Sequence, residues 1–148
     1  MLRNVANIVS PSDIGSLAVV QYTVEVLKVT DILVAGHYGC GGVKASVTKF
    51  DHGPLEAWLS QLRRLRHKHS EELSQFTTVD DEARRLVELN VREQVTNVAS
   101  TPFVQKAWKA GQEVRVHGVI YDMETGYLID QGITMYKIDQ LPKELRVV

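Results

Sequence analysis

Asp31-Ile32-Leu33-Val34-Ala35-Gly36-His37-Tyr38-Gly39-Cys40-Gly41-Gly42-Val43 is the stretch on which the fold turns. Its first five residues form an apolar run too short for a helix, the pattern of a central parallel strand buried on both faces. Glycines then dominate, interrupted by one histidine and one cysteine, and Val43 can open a helix. A strand that feeds a glycine loop and a helix is the building unit of α/β sheets, which keep their sites at the carboxyl ends of the strands. The loop therefore lies where chemistry is expected.

Upstream, Asn4 to Val9 reads as a short strand or strand end, closed by the turn formers Ser10-Pro11-Ser12-Asp13. Ser12 or Asp13 can cap a helix whose apolar stripe is Leu17, Val20, Val24 and Leu27, with Lys28 suited to its negative end. Downstream of a loop around Asp51-His52-Gly53, Pro54 can open a helix with Leu55, Trp58, Leu59, Leu62 and Leu65 on one face. The periodicity predicts a longer helix from Asp80 to Ala99, buried through Leu86, Leu89, Val91, Val95 and Val98. Thr101-Pro102 begins a shorter one that Gly111 ends. The pattern then alternates: Val114, Val116 and Gly118 to Tyr121, a turn at Met123-Glu124-Thr125-Gly126, and a return from Tyr127 to Ile138. The expected fold is α/β: a mainly parallel sheet flanked by helices, with a C-terminal antiparallel hairpin, in one domain over residues 1–148.

With 148 residues, 44% of them hydrophobic, the chain is long enough to bury a sizeable core. Seventeen basic and eighteen acidic residues give a net charge of −1, so no global field recruits nucleic acid or a membrane surface. Cys40 is the sole cysteine, which excludes an internal disulfide and fits a reducing, cytoplasmic setting. No apolar stretch approaches the roughly 20 residues that span a bilayer.

His37 and Cys40 carry the sharpest chemistry. An imidazole and a thiolate three residues apart in a strand-end loop can both face one Zn²⁺, and the surrounding glycines let the backbone approach closely. Two ligands do not make a site, and a buried thiol beside a hydrogen-bonded histidine remains the alternative. His67 and His69 point to different faces of a helix and, with Arg63, Arg64, Arg66 and Lys68, read as a solvated basic face. Glu71 and Glu72 follow at once without interleaved aromatics, which argues against nucleic acid or membrane there. His52 and His117 are solitary, although His117 lies in a strand that could approach the loop. A phosphate-loop reading fails on glycine spacing and on Ala45 after Lys44, where a hydroxyl residue is required.

Arg3-Asn4-Val5-Ala6-Asn7, Gln21-Tyr22 with Glu25-Val26-Leu27, Gly36 to Val43, Glu88-Leu89-Asn90-Val91, Gln94-Val95 and His117-Gly118 together resemble the β-class carbonic anhydrases, in order, from Arg3 to about Gly132. The resemblance implies that His37 and Cys40 are two of three protein ligands to zinc, and that the backbone at Gly41 and Gly42 walls a CO₂ pocket. It sets Arg3, and less firmly Tyr121, against residues that hold a non-catalytic bicarbonate in the bicarbonate-regulated subgroup; that site's tryptophan has no counterpart.

The family's Cys-x-Asp-x-Arg motif, which supplies the remaining ligand and an Asp–Arg dyad, has no match in these 148 residues. The resemblance then implies an N-terminally truncated domain without a complete catalytic set, with Zn²⁺ weak or absent and reversible hydration of CO₂ to bicarbonate strongly impaired. The rival expectation is a non-catalytic paralogue acting as an oligomer subunit or as a bicarbonate or weak metal binder. Either way a homo-oligomer, at least a dimer, is expected, with a full-length paralogue as a further candidate partner. Because the family's motif strand lies between Asn7 and Asp31 to Ala35, the interior first strand is expected to be missing. Either Asn4 to Val9 then pairs directly with Asp31 to Ala35, or a partner chain supplies a strand.

Overall fold

The computed structural model describes residues 1–48 and 53–148; the expected loop at Asp51 and His52 lies outside them. Strand β1 (Asp31–His37) pairs in parallel with β2 (Arg115–Tyr121), in register from Asp31↔Arg115 to His37↔Tyr121. Strand β3 (Leu128–Met135) returns antiparallel along the other side of β2, giving the order β1-β2-β3. Its turn is closed by Gly126 N–H donating to the Asp122 carbonyl (2.8 Å), with Gly126 at φ 75°. The returning strand stops three residues before the expected Ile138, where Gln140 Oε1 accepts from the Tyr136 amide at 2.7 Å and draws the chain into a 3-10 turn.

Helix α1 (Ile14–Gln21) is capped by Asp13, whose carboxylate accepts from the Gly15 amide at 3.1 Å. It runs into a π-helical turn, Tyr22–Val26, which shifts the phase of the stripe: Val20 and Val24 are buried, while Leu27 is exposed. Helices α2 (Gly41–Val47), α3 (Leu55–Lys68), the single turn α4 (Ser70–Leu73), α5 (Val79–Ala99) and α6 (Pro102–Lys109) complete the order. Thr78 caps α5, and Gly111 at φ 76° ends the α6 region.

The core forms where α5 lies across one face of the sheet. Leu86, Leu89, Val91, Val95 and Val98 are all buried, as their periodicity predicts. Each contributes about 1.5–3 kcal/mol by leaving water. The close approach requires glycine in both strands. A Cβ on Gly36 would lie 2.6 Å from Val91 Cγ2, and one on Gly118 would lie 3.0 Å from Val91 Cγ1.

Two expectations are corrected. β1 is not buried on both faces: Val34 and Gly36 are covered on the side of α5, but Leu33, 63% exposed, and Ala35 alternate to the opposite, exposed face. Nor is Asn4 to Val9 a strand. Val5–Asn7 is a 3-10 turn with Ala6 (φ 61°) and Asn7 (φ 45°) left-handed. Asn4 closes it, Nδ2 donating to the Ile8 carbonyl (2.7 Å) and Oδ1 accepting from the Ile8 amide (2.9 Å). Amide side chains of α5 take the groups a strand partner would have used. Asn90 Nδ2 donates to the Ala6 carbonyl (2.8 Å), Gln94 Oε1 accepts from the Val9 amide (2.9 Å), and Asn97 Nδ2 donates to the Val9 carbonyl (3.1 Å). The segment therefore does not pair with β1. Instead a groove of about 540 Å³ runs beside the free edge of β1, between Arg3, Asn7, Thr23 and Leu33.

Candidate metal centre

β1 ends at His37 and α2 begins after Cys40, so both candidate ligands lie on the carboxyl-end loop of a parallel strand. The loop is tied down at its first residue: Tyr38 N–H donates to the Tyr121 carbonyl at 3.2 Å, extending the β1–β2 ladder by one bond. Gly39 then takes φ 71°, a conformation costly for any residue with a Cβ. His37 is exposed, and Cys40 is a free, buried thiol. His37 Nδ1 lies 3.0 Å from the Tyr38 carbonyl oxygen. A carbonyl only accepts, so Nδ1 is the donor in this bond, which leaves Nε2 as the ring nitrogen that can ligate. A metal-ligating histidine ordinarily makes such a bond through its other ring nitrogen.

The donor chemistry of this pair fits two of zinc's ligand positions. Among the described residues, however, no three His, Cys, Asp or Glu side chains gather where they could hold one ion. The walls of the loop differ on its two sides. A Cβ on Gly42 would strike Val5 Cγ1 at 2.6 Å, whereas one on Gly41 would meet nothing within 4 Å.

Tyr38 was not singled out from the sequence, yet it links the loop to α5. Its ring is nearly buried, Arg84 Cζ stands 3.5 Å from the ring centroid, and its hydroxyl donates to Glu88 Oε1 at 2.8 Å. Arg85 binds the other Glu88 oxygen and also donates to Glu72 Oε1 at 2.5 Å. Burial, reinforced by the hydrogen bond to Glu88, pushes the Tyr38 phenol above its ordinary value. The available signal was that Tyr38 and Glu88 each lie inside a segment quoted for the resemblance.

The other sequence candidates are separated. Tyr121 is the register partner of His37 and half exposed, so it borders the loop. Arg3 instead lines the groove along the free edge of β1, and it makes no hydrogen bond or ion pair among the described residues. His117 does not approach the loop. It pairs with Leu33, four residues or roughly 13 Å back along the strand, and its Nε2 donates to Asp31 Oδ1 at 3.0 Å. His67 is exposed and His69 stands 3.8 Å from Glu72, while Arg63 and Arg66 are paired with Glu56 and Glu82. His52 lies outside the described residues. In the groove, Asn7 Nδ2 is buried without a hydrogen-bond partner among the described residues.

A family model described as carbonic anhydrase matches residues 1–128. A carbonic anhydrase of Emericella nidulans is 40% identical over 131 residues, covering 88% of this chain and 58% of that protein. One from Candida albicans is 38% identical over 141 residues, covering 94% and 50%. Among solved structures, a Coccomyxa β-carbonic anhydrase in complex with acetazolamide superposes with a TM-score of 0.90 at 37% identity, covering 97% of this chain and 67% of that one. A tetrameric β-carbonic anhydrase from Sordaria macrospora gives 0.84 at 34%, covering 90% and 68%. The chain thus spans about half to three fifths of the curated relatives it matches.

Proposed function

The chain belongs to the β-class carbonic anhydrase family, and from that premise we propose that residues 1–148 form one domain carrying the His–Cys half of a zinc site for reversible CO₂ hydration. The observation that carries this reading is the His37 ring, held through Nδ1 with Nε2 left to ligate, three residues before a buried thiol. Zinc, where bound, supplies the Lewis acidity that makes water a nucleophile near neutral pH. His37 Nε2 and Cys40 Sγ would hold it, and the open backbone at Gly41, next to the packed Gly42, would border the CO₂ pocket.

Two donors bind weakly, so these residues alone hold Zn²⁺ loosely and hydrate CO₂ slowly. The groove at the free edge of β1 supports a further donor arriving on an extended segment outside the described residues. An unpaired strand edge, the exposed Leu33 and the unpartnered Asn7 amide all face such an occupant. The protein would act as a cytoplasmic homo-oligomer, at least a dimer, with a full-length paralogue as a further partner able to bring that segment; a relative's structure is described as tetrameric. Among the described residues no helix is long and apolar enough to cross a membrane.

The test is zinc content per chain after chelator dialysis, measured together with stopped-flow CO₂ hydration, with and without a peptide carrying a Cys-x-Asp-x-Arg strand. Substoichiometric zinc and near-background hydration are expected, both rising with the peptide. One tightly held zinc per chain without it would refute the half-site reading.

A second reading, a non-catalytic subunit that binds bicarbonate at Arg3, draws on Arg3 having no ion-pair partner among the described residues. Retained bicarbonate binding in Arg3→Ala would eliminate it.

A further inference from the structure

Between the two candidate ligands sits a tyrosine whose side chain turns away from them into the protein. Tyr38 points its hydroxyl at Glu88 on α5 (2.8 Å) and lays its ring under Arg84 (3.5 Å to the centroid). Glu88 is in turn gripped by Arg85, which Glu72 holds from α4. Its backbone does a separate job. The amide is bonded to Tyr121 (3.2 Å), and the carbonyl accepts the proton of His37 Nδ1 (3.0 Å). The next residue, Gly39, is left-handed, and among the described residues a Cβ placed on it would meet nothing within 4 Å, so packing of that residue does not hold the carbonyl's direction. The direction is set by the two anchors of Tyr38, one through its amide and one through its phenol.

We infer that Tyr38, anchored on Glu88, is the positioning residue that fixes the tautomer and orientation of His37. An exposed, unrestrained neutral imidazole exchanges its proton between both ring nitrogens, and a metal finds the Nε2 lone pair only part of the time. With the Tyr38 carbonyl held in place, Nδ1–H is bound and Nε2 is available continuously. The chain Glu72, Arg85, Glu88, Tyr38 thereby connects two helices to one ring nitrogen without any of its side chains touching the metal or the substrate. The metal consequence rests on the zinc reading above, whereas the tautomer does not.

The test uses the full chain free of metal, with ¹⁵N imidazole spectra recorded about two units above the ordinary histidine pKa and the His37 signals assigned by their loss in His37→Gln. The unsubstituted chain is expected to show a single Nδ1-protonated form. Tyr38→Phe, which keeps the ring under Arg84, and Glu88→Ala are each expected to give a mixture of tautomers. Glu88→Gln, which still offers the phenol an acceptor, is expected to preserve the single form. Zn²⁺ titration should show affinity lower by about 10- to 100-fold in the first two and retained in the third. Backbone amide spectra establish folding; if Tyr38→Phe does not fold, Glu88→Ala decides, since its side chain is only the far end of the anchor. Mixed tautomers in the unsubstituted chain, or a single form in folded Tyr38→Phe and Glu88→Ala, would overturn the inference. A tautomer change in a chain that binds no zinc at all would uphold the positioning role and remove the zinc reading instead.

Discussion

At Asp31, four donors converge on one carboxylate: Arg115 Nε (2.8 Å) and Nη2 (3.0 Å), His117 Nε2 (3.0 Å) and Thr30 Oγ1 (2.7 Å). Arg115 above all, then His117 and Thr30, hold its carboxyl well below the usual carboxylate range. A carboxyl depressed in the folded state contributes stability in full above its unfolded pKa of about 4 and loses it as pH falls further. Asp31→Asn should therefore be less stable than the native chain at neutral pH, and the gap should close progressively below about pH 4, as read from urea midpoints across pH. The meeting of His37 and Cys40 on one strand-end loop was legible in the sequence because their spacing is local. The role of Asp31, the anchor at Glu88 and the remoteness of His117 were not, since each depends on which residues meet across strands and helices. Gly36 shows the same limit from the other side. Sequence placed it at the start of the glycine loop, yet it lies within β1, where its use is to admit Val91, which a Cβ would strike at 2.6 Å. Gly36→Ala should cost about 1–3 kcal/mol. Adding Val91→Ala should restore part of that loss in a thermal-unfolding cycle, and strict additivity of the two changes would count against the close-packing account.

At the scale of elements, α5 performs two tasks that its hydrophobic periodicity reveals only in part. Its apolar face covers the sheet, and the spacing of Leu86, Leu89, Val91, Val95 and Val98 made that readable. Its polar interior face does not follow from amphipathicity, for Asn90 and Gln94 are buried at 1% and 4% exposure where a helix of this kind would place apolar groups. They are retained because they stand in for a strand partner. Gln94 accepts from the Val9 amide and from Asn97 Nδ2, and donates to Asn90 Oδ1. This is also why Asn4 to Val9 reads as a strand and is not one: its composition suits a strand, but the side-chain amides of Asn4, Asn90, Gln94 and Asn97 satisfy its backbone as a turn, an arrangement no local pattern announces. Gln94→Leu would strand the buried Val9 amide and release both asparagines, at a cost of about 2–4 kcal/mol. The expected signature is a lower urea midpoint with an unchanged slope, together with lost hydrogen-exchange protection at Val9. Retained protection at that amide would show that another group holds the segment.

For the molecule as a whole, the alternating C-terminal segment made legible both the hairpin and its place at the edge of the sheet, where β3 lies. Among the described residues the sheet has three strands and two free edges, and both edge strands carry apolar side chains in water. Leu33 on β1 is 63% exposed, Leu128 on β3 is 61% exposed, and Tyr127 and Tyr136 flank the latter at 73% and 53%. Edges of this kind ordinarily carry charge or cover, and uncovered ones pair with another chain. The two edges differ in kind, however. The β1 edge opens onto the groove that contains the unpartnered Asn7 side-chain amide, so it calls for an extended backbone; the β3 edge exposes Tyr127 and Leu128 at one end and Tyr136 at the other, with Asp130 and Gly132 between, a surface better suited to a flat contact between copies. Light scattering at micromolar concentration should accordingly give at least a dimer, and Leu128→Lys should shift it toward monomer. Leu33→Lys should leave that association largely intact while weakening capture of an added strand peptide. A native chain that is monomeric would contradict the assembly. A dimer lost in Leu33→Lys but kept in Leu128→Lys would instead move the interface to β1, which would mean that the copies themselves occupy the groove.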